Sequence, residues 1–227
     1  MKIGILGTGM VGQIVGAKLA ATGHDVMLGT RSVAELMART TPGMGQREPF
    51  AEWHRQHPAV KVGTFAECAV HGDVLINATA GGASVDALRL AGEAPLNGKI
   101  LMDLANPLDF SQGMPPTLSL CNNDSTGEQI QRAFPDVKVV KTLNTVNAYV
   151  MIEPGQLAGG DHHVFVSGND AGAKMRVSEY LQQWFGWKHV IDLGDITTSR
   201  GVEMYLPLWL RLWGALGTPM LNVKIVR

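Results

Sequence analysis

Short runs dense in Val, Ile and Leu recur from the first residues, and apolar positions at helical spacing return between several of them. Strands are expected at Lys2–Leu6, Asp25–Leu28, Val60–Gly63, Val74–Asn77, Ile100–Leu104, Val137–Thr142, His163–Ser167 and Val190–Asp192. Helices are expected at Met10–Thr22, Val33–Arg39, Ser125–Phe134 after an Asp124 or Ser125 cap, and Asp170–Phe185, stopping before Gly186. Continuous apolar strands alternating with helices are the pattern of a mostly parallel sheet of about eight strands, covered on both faces.

Two segments do not fit this scheme. Residues Thr41–Pro58 are rich in Pro and Gly, and Leu104–Asp124 is a long connection ending in "CNND". Loops of that length inside a compact domain commonly form lids or pocket walls. From about Ser199 to Leu216, Leu206, Leu208, Trp209, Leu210, Leu212, Trp213 and Leu216 crowd nearly every face of a helix, so it is expected to be largely buried. It would pack on its own domain, form a dimer interface or wall an acceptor pocket. The chain therefore divides into an α/β domain, 1–196, and a C-terminal helical segment, 197–227, with no internal repeat and no polar linker between them.

The glycine turn carries the first chemical signal. Gly7, Gly9 and Gly12 form G-x-G-x-x-G directly after a strand and before a helix. The first glycine permits a tight turn, the second lets backbone approach a pyrophosphate, and the third lets helix pack close on strand. Dinucleotide binding follows, because free N–H groups at the helix start face the anion. An NAD-binding chain would then place a carboxylate about 20 residues on, to hold the ribose. Here that position reads Gly29-Thr30-Arg31-Ser32, without an acid. The Arg31 guanidinium and the Thr30 and Ser32 hydroxyls suit a 2′-phosphate, so NADP(H) is expected over NAD(H).

Ligands of parallel sheets bind outside the carboxyl ends of the strands. That nominates Ala78-Thr79-Ala80, Ala105-Asn106-Pro107 and Leu143-Asn144-Thr145 as the cradle of a ribose and a nicotinamide amide. No proton donor is evident, and the catalytic residue stays unassigned: Tyr149, Tyr180 and Tyr205 all lack a lysine four positions later. Lys141 either meets the cofactor edge or runs along apolar surface to water. The tandem His162-His163 is taken as surface or ordinary strand histidine. His54 and His57 lack a third metal ligand, and no metal site is expected.

Composition narrows the setting. With 45% hydrophobic and 17% charged residues and a net charge of −1, the 227-residue chain offers no basic face for nucleic acid or anionic membrane. The apolar start stops at a glycine turn rather than a cleavage site, and Pro207 and Arg211 interrupt the apolar tail, so neither a signal peptide nor a membrane span is expected. Cys68 and Cys121 are expected to be reduced thiols of a cytoplasmic protein.

"GILGTGMVG", "GTRS", "NATAGG", "LANPLD", "VVKTLNTVNA" and "DLGDITTSRGVEMYLPLWLRL" follow one another in the order of the coenzyme F420-dependent NADP oxidoreductases, which the whole chain resembles. The cytosolic reductase domains of STEAP-type ferric reductases are similar too. The resemblance implies a doubly wound Rossmann-type domain, a homodimer, and hydride exchange between NADPH and a deazaflavin (coenzyme F420) or flavin acceptor. It places Thr8, Met10 and Val11 on the pyrophosphate, and Thr30, Arg31 and Ser32 on the 2′-phosphate. Thr79, Ala80, Asn106 and Leu143-Asn144 fall along the nicotinamide half. Two departures bear on the acceptor: Thr41–Pro58 is longer than in the archaeal enzymes, and the transmembrane haem domain of the ferric reductases is missing. Two other functions stay open. A reductase of small imines or carbonyls, related to pyrroline-5-carboxylate reductase, shares the glycine turn but needs a substantial all-helical second domain. A non-catalytic NADP sensor fits the missing acid–base residue equally well.

Overall fold

A computed structural model describes residues 1–227. The chain begins with β1 (Lys2–Leu6), α1 (Met10–Ala21), β2 (Asp25–Thr30), α2 (Val33–Ala38), α3 (Phe50–Gln56), β3 (Lys61–Thr64), α4 (Phe65–His71) and β4 (Val74–Asn77). It continues through α5 (Ser84–Ala91), β5 (Ile100–Asp103), β6 (Leu108–Asp109), β7 (Thr117–Leu118), α6 (Thr126–Ala133) and β8 (Lys138–Thr142). The last elements are α7 (Ala148–Ile152), β9 (His163–Ser167), α8 (Ala171–Tyr180), β10 (His189–Gly194), α9 (Ser199–Met204) and α10 (Leu206–Leu216).

Eight strands form one sheet in the order β10-β9-β8-β5-β4-β1-β2-β3. All pairings are parallel except β8 with β9, so β9 and β10 run against the other six. The chain starts in the middle and winds outward both ways, which puts the topological switch point between β1 and β4.

Side-chain alternation divides the core. Ile3, Ile5, Val74, Ile76, Met102 and Val140 point to the face covered by α1, α3, α7 and α8. Leu6, Leu75, Leu101 and Val139 point to the other, under α4, α5 and α6. Close packing on the second face depends on missing side chains: a Cβ on Gly29 would stand 2.8 Å from the Cys68 Cβ, and one on Gly4 would stand 2.5 Å from the Cys68 carbonyl oxygen.

Every expected strand is present, most with ends shifted by a residue or two. The expected helix over Asp170–Phe185 is α8, capped by Asp170, followed by one π turn over Leu181–Phe185 that ends at left-handed Gly186. The sequence pattern did not reveal α4, α5 or α7, of seven, eight and five residues. Inside the two long connections lie α3, with buried Phe50 and Trp53, and the small β6–β7 ribbon.

The final helix departs from expectation. It breaks at Tyr205 into α9 and α10, and in α10 only Leu206 and Trp209 are buried, while Leu208, Trp213 and Leu216 are exposed. Apolar residues all round it had implied burial, but one stripe of α10 lies on Leu221 and the β6–β7 ribbon, and the rest faces outward. No helix is long and apolar enough to cross a membrane.

Cys68 and Cys121 are both free thiols. Burial pushes the Cys68 thiol up to about 12, whereas Cys121 is only half-buried. A disulfide-exchange reagent at pH 8 should therefore titrate one thiol in the native protein and two after unfolding in guanidinium; rapid reaction of both natively would contradict this packing.

Candidate active site at the carboxyl edge of the sheet

The three glycines of the turn meet three different constraints. Gly7 has φ +119°, and a Cβ there would lie 2.6 Å from the Ala78 carbonyl oxygen. One on Gly12 would fall 2.2 Å from the Gly7 carbonyl oxygen, so α1 could not approach β1. One on Gly9 would meet nothing within 4 Å. The space before Gly9 is open, and α1 begins there with no side-chain cap and no acidic residue in its first turn. Its leading N–H groups thus present partial positive charge toward that space. Thr8, Met10 and Val11 are half-buried around it.

At the end of β2, Thr30 is half-buried and Arg31 exposed. The Ser32 hydroxyl accepts from Glu35 N at 3.3 Å, capping α2, which leaves its own hydrogen free to donate.

The strand-end loops nominated from sequence come together across β4, β5 and β8. Gly81 N donates to the Asn106 carbonyl at 3.2 Å. Asn106 Nδ2 donates to the Asn144 carbonyl at 2.8 Å, and Asn144 Nδ2 returns to Asn106 Oδ1 at 3.0 Å and to the Val202 carbonyl at 3.1 Å. Leu143 reaches this arrangement with φ +59°, a left-handed conformation that costs a leucine on the order of 1–3 kcal/mol. The Thr79 hydroxyl turns inward to Asn77 Oδ1 at 2.7 Å. Ala78 and Thr79 are half-buried, Ala80 is exposed, and Pro107, Leu143 and Asn144 are buried. The Asn144 side chain therefore holds two loops together, the Thr79 hydroxyl closes its own loop onto Asn77 and Ser84, and neither is free for a ligand.

Beneath these loops lies a feature that sequence did not disclose. Asn77, Asp103 and Lys141 are register partners on β4, β5 and β8, and all three are buried. Lys141 Nζ donates to Asp103 Oδ2 at 2.7 Å and to the Ala105 carbonyl at 2.6 Å, and pairs with Glu203 Oε1 at 2.7 Å. Asp103 Oδ1 accepts from Asn77 Nδ2 at 2.8 Å and from Ala105 N at 3.1 Å. Glu203, on α9, accepts from Thr126 N at 2.9 Å and Gly127 N at 3.2 Å, at the start of α6. Burial works against the Lys141 charge, but Asp103 and Glu203 outweigh it and hold the ammonium above the ordinary lysine value. Lys141 neither meets a cofactor edge nor reaches water, because all three of its donors are taken inside the protein. The one signal in the sequence was Asp103 itself, a lone acid closing the apolar run "ILMD".

His162, expected on the surface or as an ordinary strand residue, is buried edge-on to Trp187, with ring nitrogens on the Pro154 carbonyl and Asn222 Nδ2. His163 lies beside His189.

A doubly wound sheet with this turn at its switch point defines a Rossmann-type α/β protein. Residues 2–107 match the family model described as NADP oxidoreductase, coenzyme F420-dependent. The chain is 26% identical to the F420-dependent NADP reductase of Methanothermobacter marburgensis over 93% of its own length and 92% of that protein's. It is 27% identical to rat metalloreductase STEAP3 over 92% of its length, spanning 38% of STEAP3. A crystal structure of a provisionally assigned F420-dependent NADP reductase from Arthrobacter sp. FB24 superposes with a TM-score of 0.94, at 56% identity and 100% coverage of both chains. The protein belongs to the coenzyme F420-dependent NADP oxidoreductase family, whose members are NADP-dependent oxidoreductases.

Lys141→Met would leave Asp103 and Glu203 buried and facing each other without a counter-charge. Such a loss costs about 3–5 kcal/mol, and urea unfolding should show it. Adding Asp103→Asn and Glu203→Gln should restore much of the difference. An unchanged urea midpoint for Lys141→Met would contradict the buried pairing.

Proposed function

We propose that this protein transfers a hydride between NADPH and a flavin or deazaflavin (coenzyme F420) acceptor, in a cytoplasmic setting that suits its two free thiols. The observation that carries the coenzyme assignment is the end of β2. Arg31 is exposed, holds no carboxylate and is flanked by two hydroxyl residues, where an NAD-binding chain would carry an acid. The open ground before Gly9 and the uncapped start of α1 fit a pyrophosphate.

In this reading Gly7, Thr8, Gly9, Met10, Val11 and Gly12 form the pyrophosphate turn, and Thr30, Arg31 and Ser32 receive the 2′-phosphate. Ala78, Thr79, Ala80, Asn106, Pro107, Leu143 and Asn144 line the nicotinamide half. Because the side chains of Thr79 and Asn144 are engaged with their neighbours, this part of the cradle works chiefly through backbone groups and shape. The nicotinamide supplies the hydride when bound. The chain's own task is to hold two rings at reacting distance, and positioning of that kind is a large source of rate on its own.

Steady-state oxidation of NADPH and of NADH, with F420 and with FMN, tests the reading. Arg31→Ala should raise the NADPH constant roughly 10- to 150-fold, since charge-assisted hydrogen bonds contribute about 1.5–3 kcal/mol, and leave NADH nearly unchanged. Equal losses would overturn the 2′-phosphate assignment. Tight NADPH binding without turnover on either acceptor would favour a sensor.

A homodimer belongs to the same proposal, supported by the exposed Leu208, Trp213 and Leu216 of α10. Light scattering should give twice the chain mass for the native protein and one chain mass for Leu208→Glu/Leu216→Glu; a monomeric native protein would overturn it.

A further inference from the structure

Residues 40–49, between α2 and α3, fold back on the glycine turn. Gln46 Nε2 donates to the Thr8 carbonyl at 2.9 Å, a carbonyl that also accepts from Gln13 Nε2 at 3.2 Å. A tight turn sets the reach of Gln46: its N–H bonds the Gly43 carbonyl at 3.0 Å, and Gly43 N returns to Gln46 Oε1 at 2.6 Å. Gly45 takes φ +74°, a conformation that favours glycine, and it lies against Met10, the first residue of α1, where a Cβ would stand 3.0 Å from Sδ. The loop is thereby tethered to the turn.

Between the loop and α1 lies a cavity of about 200 Å³, whose walls include Met10, Gln13, Trp53 and Tyr149. Arg47 lines it and is exposed. Five of the ten arginines in the chain hold a carboxylate: Arg55, Arg89, Arg132, Arg176 and Arg200. Arg47 is among those that hold none; its neighbour Glu48 instead accepts from Gln56 Nε2 at 2.7 Å. Arg31 and Arg39 are unpaired too, so three of the five free guanidinium groups fall within 31–47, all of them beyond β2. A free guanidinium one residue from the tether thus shares a cavity wall with Met10, the first residue of α1.

We infer that residues 40–49 form a clamp over the glycine turn and that Arg47 supplies the cation for the pyrophosphate of a bound dinucleotide. The inference rests on the proposed placement of a dinucleotide at that turn and adds a contact from outside the motif. It separates two arginines by ligand chemistry. Arg31 is assigned to the 2′-phosphate, present only in NADP(H), whereas Arg47 meets a diphosphate common to NADPH and NADH and absent from adenosine 2′-monophosphate.

Calorimetric titration of the full chain with NADPH, NADH and adenosine 2′-monophosphate distinguishes them. Arg47→Ala should raise the Kd of both dinucleotides by the same factor, roughly 10- to 100-fold, and leave adenosine 2′-monophosphate unchanged. Gln46→Ala, which keeps the guanidinium but cuts the tether, should raise both by a smaller common factor. A loss confined to NADPH, a loss shared by the mononucleotide, or no change with either dinucleotide would overturn the inference. Failure of the native protein to bind NADPH or NADH at all would instead overturn the proposed function, and this inference with it.

Discussion

The carboxyl edge of the sheet depends on one buried ammonium. Lys141 sits among groups that water cannot reach, and stripping solvent from three charges costs several kcal/mol per ion before any attraction is counted. The arrangement is tolerable because it is complete. Three donors on Nζ meet three oxygens, both Asp103 oxygens are occupied, and Glu203 takes two backbone N–H groups that would otherwise be orphaned at the start of α6. The network reinforces two strand pairings and adds one part that no backbone ladder reaches. Asn77 and Asp103 tie β4 to β5, Lys141 adds β8, and Glu203 brings in α9, 62 residues further along the chain. The Ala105–Pro107 loop is held at both its first amide and its first carbonyl by this set. Above it, the Asn106–Asn144 pair and the Asn144 bond to Val202 repeat the same connection with neutral groups.

This explains why the strands were legible from sequence and the buried ion network was not. A parallel strand buried on both faces must be apolar nearly throughout, so the central strands β1, β4, β5 and β8 announced themselves in four or five residues. The glycine turn was legible for a similar reason: Gly7 and Gly12 are forced by backbone sterics within ten residues, and Gly9 opens onto space. Lys141 was not, because its partners lie far away in sequence and local pattern carries no trace of them. Seen alone, a lysine ending a strand belongs at a surface or against a ligand, and only Asp103 and Glu203 make burial possible.

The C-terminal helix shows the opposite failure. Seven large apolar residues within α10 predicted burial, yet apolarity states only that a surface would gain from being covered. Within this chain the covering material is the β6–β7 ribbon and Leu221, enough for one stripe. The short helices α4, α5 and α7 escaped notice, whereas α6, no longer than α5, was found through its Asp124 or Ser125 cap. Their stability comes from caps, such as the Thr64–Glu67 capping box on α4 and Asn147 before α7, and from packing on the sheet.

The two halves of the proposed dinucleotide site are built by different means, and the difference follows the chemistry asked of each. On the side assigned to phosphates, the recognising groups are exposed arginines and half-buried hydroxyls on turns and a loop, with the uncapped N-terminus of α1 behind them. Charge attraction there is long-ranged and tolerates small adjustments, so a loop suffices. On the side assigned to the nicotinamide, the groups stand at the ends of three adjacent strands, cross-linked by buried polar contacts, with Leu143 held in a strained conformation. Hydride transfer between two rings depends on distance and angle, and a displacement of about 1 Å can cost a hundredfold in rate. A sheet edge locked by a saturated ion network suits that requirement, because each of its members is fixed by more than one bond. In the proposed function the buried charges would thus act at one remove, by setting the position of the backbone assigned to the nicotinamide.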